Sequence, residues 1–184
     1  MPIIAKASSG QFQPCPAGPQ LAVCVDVVDL GLVKNERFPN ADGTDRWQQK
    51  IDLVWQSSEC MTDGRPFIAK KRYTLSLDEK ATLRHDLASW RGRDFTAVEL
   101  EAFDVEKLIG VNCILNVAHK SGSKGGTFAN VVAVMPVMKG QSKIAPTADY
   151  VRVCDRPKDV DSTPVADDVP IGEDRTPSDD DIPF

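Results

Sequence analysis

Basic and aromatic residues recur together in three stretches of the chain. Aromatic rings stack on nucleobases, and lysine and arginine side chains neutralise phosphates, so this combination is typical of surfaces that bind single-stranded nucleic acid without reading its sequence. The sequence therefore predicts a site for single-stranded DNA. Its candidate residues are Arg46, Trp47, Lys50 and Trp55 in the first stretch, Lys70, Lys71, Arg72 and Tyr73 in the second, and Lys120, Lys124 and Phe128 in the third.

Some of these residues also fit a purely structural role. Trp47 and Trp55 share the parity of Ile51 and Leu53, which predicts that at least one of the two tryptophans belongs to the core. Trp47 is the better candidate for exposure because it lies nearer the end of its stretch. Tyr73 fits the core and the groove equally well.

Catalytic and metal-binding patterns are weak. The loop Gly122–Gly126 lacks the spacing of a phosphate-binding P-loop. A nuclease-type metal cluster of Asp26, Asp29 and Asp52 is disfavoured because Asp26 and Asp29 have opposite parity on one strand. The five cysteines contain no C-x-x-C pair, which predicts free thiols and no zinc site. We therefore expect no enzymatic activity, no metal and no cofactor.

Hydrophobic periodicity predicts a mainly β protein. The order is three strands, a helical insert and two further strands, which is the order of an OB-fold, a five-stranded barrel. A β-sandwich without closure would give similar signals. In an OB-fold, strands two and three and the loops 1–2 and 4–5 form the binding face, which is where the candidate residues fall. The predicted elements are strands at 21–33, 46–57, 67–75, 111–118 and 127–138, a helix opened by a capping box at Ser76 and Glu79 with Leu83, Leu87 and Trp90 on one face, and a short helix opened by Thr96 and Glu99.

Charge and composition divide the chain into three parts: a loose lead-in (1–18), the barrel domain (19–140) and a disordered acidic tail (141–184). From Asp155 onward the sequence holds ten acids and three bases, a net charge of −7, whereas the part before it has a net charge of +2. The barrel could therefore bind phosphates although the whole chain is acidic. No apolar run approaches the about 20 residues that span a bilayer, and the N-terminus does not read as a signal peptide, so we expect a cytoplasmic protein.

The sequence ends in Asp179, Asp180, Asp181, Ile182, Pro183 and Phe184. The proline holds the residue before it extended, so two apolar side chains and a carboxylate are presented together to a partner. This ending resembles the C-terminal tip of bacterial and phage single-stranded DNA-binding proteins, the SSB family. The pieces 65–67, 73–76, 83–84, 90–93 and 95–96 together resemble a segment of a group of phage-encoded SSB-like proteins.

The resemblance implies a protein of phage DNA replication, recombination and repair in the host cytoplasm. The tip would recruit helicases, exonucleases, primosome proteins or a clamp-loader subunit, and both a monomer and a homo-oligomer remain open. An alternative is a decoy that presents the tip to host repair enzymes and binds no DNA.

Overall fold

The computed structural model describes residues 13–35, 40, 42–121 and 126–157. Three strands, a helical insert and two further strands follow each other in the order that the periodicity predicts, so the mainly β class and the helical insert are confirmed. The strands are β1 (Gly18–Lys34), β2 (Trp47–Cys60), β3 (Pro66–Thr74), β4 (Asn112–Ser121) and β5 (Thr127–Met135); the helices are α1 (Thr82–Arg91), α2 (Ala97–Glu101) and two 3₁₀ turns at Val105–Leu108 and Val153–Asp155.

The five strands form one antiparallel sheet in the order β3-β2-β1-β4-β5. A closed barrel would require β3 to pair with β5, and this pairing is not found among the described residues. A side chain bridges this seam instead: Lys71 Nζ donates to the Val132 carbonyl over 3.4 Å. The described residues therefore form an open five-stranded sheet, and the barrel closure that the sequence predicted is not found among them.

Strand β1 is long and bent. Its register against β2 shifts between Cys24 and Asp26 and again between Asp29 and Gly31, where Gly31 adopts a positive φ of 67°. This second shift is the bulge expected at a strand glycine. Beyond it, the end of β1 pairs with the start of β2, whose Gln49 carbonyl at the base also accepts from the Leu75 amide over 2.8 Å. They form a two-stranded hairpin arm, residues 31–35 and 46–49, that extends past β3 and β4.

The core lies between the inner face of the sheet and α1. Ile51, Leu53 and Trp55 of β2 are buried there, and the Trp55 ring packs 6.1 Å from the ring of Trp90. The predicted apolar face of α1 is confirmed, since Leu83, Leu87 and Trp90 are its buried residues.

Of the two predicted capping boxes, one forms. Thr96 accepts a hydrogen bond from the Glu99 amide at the start of α2, and the Glu99 carboxylate bonds back to the Thr96 amide. The box at Ser76 is wrong, because α1 begins at Thr82 with Ala81 as its N-cap. Ser76 instead hydrogen-bonds Asp78 in an exposed turn.

Residues 141–157, which composition assigned to the acidic tail, lie on the outer face of β1 and β2. We call this segment the strap. Ile144 and Tyr150 pack against Val23, Val25 and Val54, so the strap buries apolar surface despite its high content of polar residues and proline. None of the helices within the described ranges is long and apolar enough to cross a bilayer.

Candidate nucleic-acid interface

A groove of about 400 Å³ lies where the base of the hairpin arm meets the end of β3 and the turn before α1. We call it the basic groove, because four of its side chains are cationic and one is acidic. The cations are Arg46, Lys50, Arg72 and Lys80, the acid is Asp78, and Gln48, Tyr73, Thr74, Ser76, Ala81 and Thr82 complete the lining.

Most of this positive charge is not neutralised by ion pairs with other described residues. Lys50 is half-buried, and its ammonium group donates to Thr74 Oγ1 over 2.6 Å and to Gln48 Oε1 over 3.1 Å, both neutral acceptors. Within the described ranges, neither Lys50 nor Arg46 nor Lys80 forms an ion pair. These three side chains can therefore pair with an anion without first breaking a salt bridge.

Arg72 is in a different state. Its guanidinium donates two hydrogen bonds, of 2.8 and 3.0 Å, to the carboxylate of Asp52, which is only 5% exposed. These bonds raise the pKa of Arg72 above its ordinary value. Because Asp52 already neutralises Arg72, this arginine lines the groove but adds little net charge.

Trp47 is 57% exposed on the hairpin arm. It follows Arg46 and precedes Gln48, which both line the basic groove, but strand alternation places its ring on the opposite face of β2. Leu32, 69% exposed, shares that face. The arm thus has a cationic side at the groove and an aromatic side behind it.

Trp55 and Tyr73, predicted as stacking residues, belong to the core instead. Trp55 is fully buried beside Ile51 and Leu53, the inward-facing neighbours that share its parity. Tyr73 is 2% exposed, and burial raises the pKa of its hydroxyl well above the ordinary value. Neither ring can reach a base while the core is intact, so this part of the prediction is wrong.

Lys71, like Trp55 and Tyr73, contributes to the structure of the domain, through an ion pair. It shares the inward parity of Ala69 and Tyr73, and its ammonium group lies 2.6 Å from the Asp86 carboxylate of α1. Lys70 has the opposite parity and is exposed on the outer face of β3. The run of three cations therefore divides: Lys70 and Arg72 face outward, and Lys71 faces the seam.

A second, mostly apolar groove of about 380 Å³ lies at the other end of the seam. Phe128 and Lys70 both line it, and the Phe128 ring is 54% exposed. Exposed Lys120 is the direct cross-strand neighbour of Phe128. Lys124 and the tip residues 179–184 lie outside the described residues.

The structure therefore divides the predicted residues between two places. The basic groove is lined by Arg46, Lys50 and Arg72, and the second groove is lined by Lys70 and Phe128. The sequence prediction missed Lys80, which follows β3 in the turn before α1. The sequence feature that could have identified Lys80 is the short connection of residues 75–81 between β3 and α1, which must turn back beside the end of β3.

The three acids considered for a metal cluster lie in separate networks. Asp52 binds Arg72, Asp26 binds Arg152, and Asp29 accepts from the Gly31 amide and from Gln49. In the part of the chain that the structure describes, no three His, Cys, Asp or Glu side chains are placed to hold a metal ion.

No protein-family model and no curated protein matches this sequence.

Proposed function

We propose that the protein binds single-stranded DNA without sequence preference, in phage DNA replication, recombination and repair. The observation that carries this proposal is the basic groove, which is lined by Arg46, Lys50 and Lys80, three cations that form no ion pair with any described residue. Uncompensated cations in a concave site favour a polyanion, and phosphates are the part of DNA that is the same in every sequence.

The exposed aromatic rings supply the second element of such a site. Trp47 on the arm and Phe128 at the seam are both more than half exposed, and neither is needed in the core. Stacking on bases contributes about 1–3 kcal/mol per base and tolerates any base. Phosphate pairing in the groove and stacking on these rings together favour a single strand, whose bases are free, over a duplex.

The strand order supports an OB-fold interpretation. An OB-fold is a partly open five-stranded barrel that binds its ligands on strands two and three and on the loops beside them. The sheet here has β1 flanked by β2 and β4, with β3 and β5 at the two edges. The basic groove lies on β2, β3 and the base of the 1–2 hairpin, as that fold requires.

The acidic end of the chain, from Asp155 onward, completes the proposal. Its net charge of −7 makes it a competitor for the groove when DNA is absent, and DNA binding then releases the tip. Residues 179–184 recruit helicases, exonucleases, primosome proteins or a clamp-loader subunit, as the resemblance to the SSB tip implies.

A fluorescence titration with an oligo-dT strand tests the DNA-binding function. Trp55 and Trp90 are buried, so quenching by bound bases reports on Trp47. We expect quenching by oligo-dT, weaker binding to duplex of equal length, and an affinity that falls with a log–log salt slope of about −2 for three phosphate contacts. Absence of binding at low salt in an independent gel-shift assay would reject the function and favour the decoy alternative.

A further inference from the structure

The outer face of β3 connects the basic groove with the second groove. Residues of even number along this strand point outward, because strand side chains alternate between the two faces of a sheet. Thr74 and Arg72 line the basic groove, and Lys70 and Ile68 line the second groove. One row of outward-facing side chains therefore runs from one groove to the other. We call it the β3 row.

The β3 row is about as long as a short stretch of single-stranded DNA. Ile68 and Thr74 lie six positions apart, which at about 3.3 Å per residue corresponds to about 20 Å. A strand covers this distance with about six nucleotides at the stacked spacing of about 3.4 Å, and with fewer when it is stretched. A strand held in the basic groove therefore needs only a few more nucleotides to reach the second groove.

The second groove offers contacts for a base and its phosphate at its rim. Among the described residues that line it, Lys70 is the one charged side chain, and no acid is present. Lys70 forms no ion pair with a described residue, so its ammonium group can contact a phosphate without first breaking a salt bridge. Phe128 is 54% exposed and Ile68 is 47% exposed, so a ring and an aliphatic side chain are open to a base.

The floor of the second groove is apolar. The core residues Phe67, Val117 and Val131 line it, and they can be reached there because the described parts of β3 and β5 do not pair. Every nucleobase has a flat face that packs on such a surface, whereas a phosphate gains nothing from it. The two grooves therefore differ in chemistry: the basic groove favours phosphates, and the second groove favours bases.

The middle of the β3 row carries little net charge. The Arg72 guanidinium is bonded to the Asp52 carboxylate, and Thr74 is neutral. Cations without an ion pair to a described residue lie at the two ends instead, with Lys50 beside Thr74 in the basic groove and Lys70 in the second groove. This arrangement consists of two binding elements joined by a neutral spacer.

We propose that one DNA strand occupies both grooves at once by running along the β3 row, so that the protein selects single strands long enough to bridge them. This inference rests on the proposed function and adds the strand length that the site requires. A strand bound in the basic groove carries its remaining nucleotides to the second groove, which makes the second contact intramolecular. Strands that reach both grooves should therefore bind about 10²–10⁴-fold more tightly than strands that fill only one.

A length series tests this inference with the full-length chain. Fluorescence anisotropy at one salt concentration gives the affinity for labelled oligo-dT strands of about 3 to 12 nucleotides. We expect a steep rise in affinity between about four and eight nucleotides and a shallow rise beyond, because longer strands add no further groove. In a strand of about eight nucleotides, removing the bases at one of the two ends should weaken binding more than removing the central bases, since only an end reaches Phe128.

Two double variants make the result specific to the second groove. Lys70→Gln with Phe128→Ala should flatten the length dependence, because the second groove then lacks its cation and its ring. Lys107→Gln with Val132→Ala is the matched control, since both side chains are exposed and neither lines a groove on this path. Urea denaturation checks that both double variants keep the original stability, and the comparison of base-free strands needs no variant.

The outcomes separate this inference from the function on which it rests. If long strands bind the original chain without a steep rise with length, the inference is overturned and the proposed function stands. The same holds if the rise persists in the Lys70→Gln, Phe128→Ala variant, or if removing central bases weakens binding as much as removing those at either end. If no strand of any length binds, the proposed function fails and the inference fails with it.

Discussion

Tyr73 donates its phenolic hydrogen to Asp86 Oδ2 over 2.7 Å, which ties β3 to α1 beneath the seam. The same carboxylate oxygen lies 2.6 Å from Lys71 Nζ, and this ammonium group also reaches the Val132 carbonyl of β5. The Asp86 carboxylate and the Lys71 ammonium group therefore link α1, β3 and β5 at the place where the described parts of β3 and β5 do not pair. Side-chain bonds hold the seam that backbone bonds would hold in a closed barrel.

Tyr73→Phe should destabilise the fold and leave DNA binding unchanged. The variant keeps the buried ring and removes one hydrogen bond to a charged acceptor, which is worth about 1.5–3 kcal/mol. Urea denaturation should show this loss, and oligo-dT affinity should match the original chain. A variant of normal stability that no longer binds DNA would instead place Tyr73 in the binding site.

Trp47→Ala and Trp55→Ala should have opposite effects. Removing the exposed Trp47 ring should weaken oligo-dT binding by about 1–3 kcal/mol and leave the unfolding free energy nearly unchanged. Removing the fully buried Trp55 ring should cost about 3–5 kcal/mol of stability. Fluorescence anisotropy of a labelled oligonucleotide measures the affinity without relying on tryptophan. If Trp47→Ala binds normally, the arm does not stack on bases.

Lys50→Gln should reduce the salt dependence of DNA binding. A lysine that neutralises one phosphate contributes about −0.7 to the slope of log affinity against log salt for a single strand. The slope should therefore become shallower by about 0.7, together with a loss of affinity at low salt. Lys107→Gln is the matched control, since Lys107 is exposed on the 3₁₀ turn at 105–108, away from the groove. Equal slopes for the two variants would exclude Lys50 as a phosphate contact.

Glu99 should make stability depend on acidic pH. Hydrogen bonds from Arg93, together with the Thr96 amide and Arg91, hold the pKa of Glu99 well below its usual range. A carboxylate with a lowered pKa stabilises the fold above its unfolded pKa of about 4.3, and this contribution is lost as the pH falls toward the folded value. The melting temperature of Glu99→Gln should therefore lie furthest below that of the original chain near neutral pH. The gap should narrow below about pH 4, whereas a gap independent of pH would contradict this origin.

The sequence predicted the elements better than the surroundings of individual side chains. Alternation in β2 gives Trp47 and Trp55 the same face, yet only Trp55 is buried, because β3 and α1 cover that face and do not extend over the arm. Lys71 faces inward because Asp86, fifteen residues later, receives its charge. Local periodicity predicts neither the burial of Trp55 nor the inward orientation of Lys71, because both depend on which elements lie next to each other in the folded chain.

The strap shows the same limit over a longer distance, and it leads to a prediction about truncation. Asp26 and Val153 are 127 positions apart, so composition alone placed the end of the domain too early, at residue 140. Removing residues 158–184 deletes nine acids and two bases and leaves every described strap contact in place. This truncation should keep the original stability and preserve or raise oligo-dT affinity, while binding of proteins that recognise the tip is lost.

Removing residues 141–184 should instead destabilise the domain, because it uncovers the apolar side chains of Val23, Val25 and Val54, each worth about 1.5–3 kcal/mol when fully buried, and removes the donors that bind Asp26. Urea denaturation and oligo-dT titration of the two truncations at one salt concentration separate the contribution of the strap from that of the tail. Equal stability of the two would show that the strap does not support the fold. Loss of DNA binding in the shorter deletion would contradict the division of labour, since it would place part of the DNA site beyond residue 157.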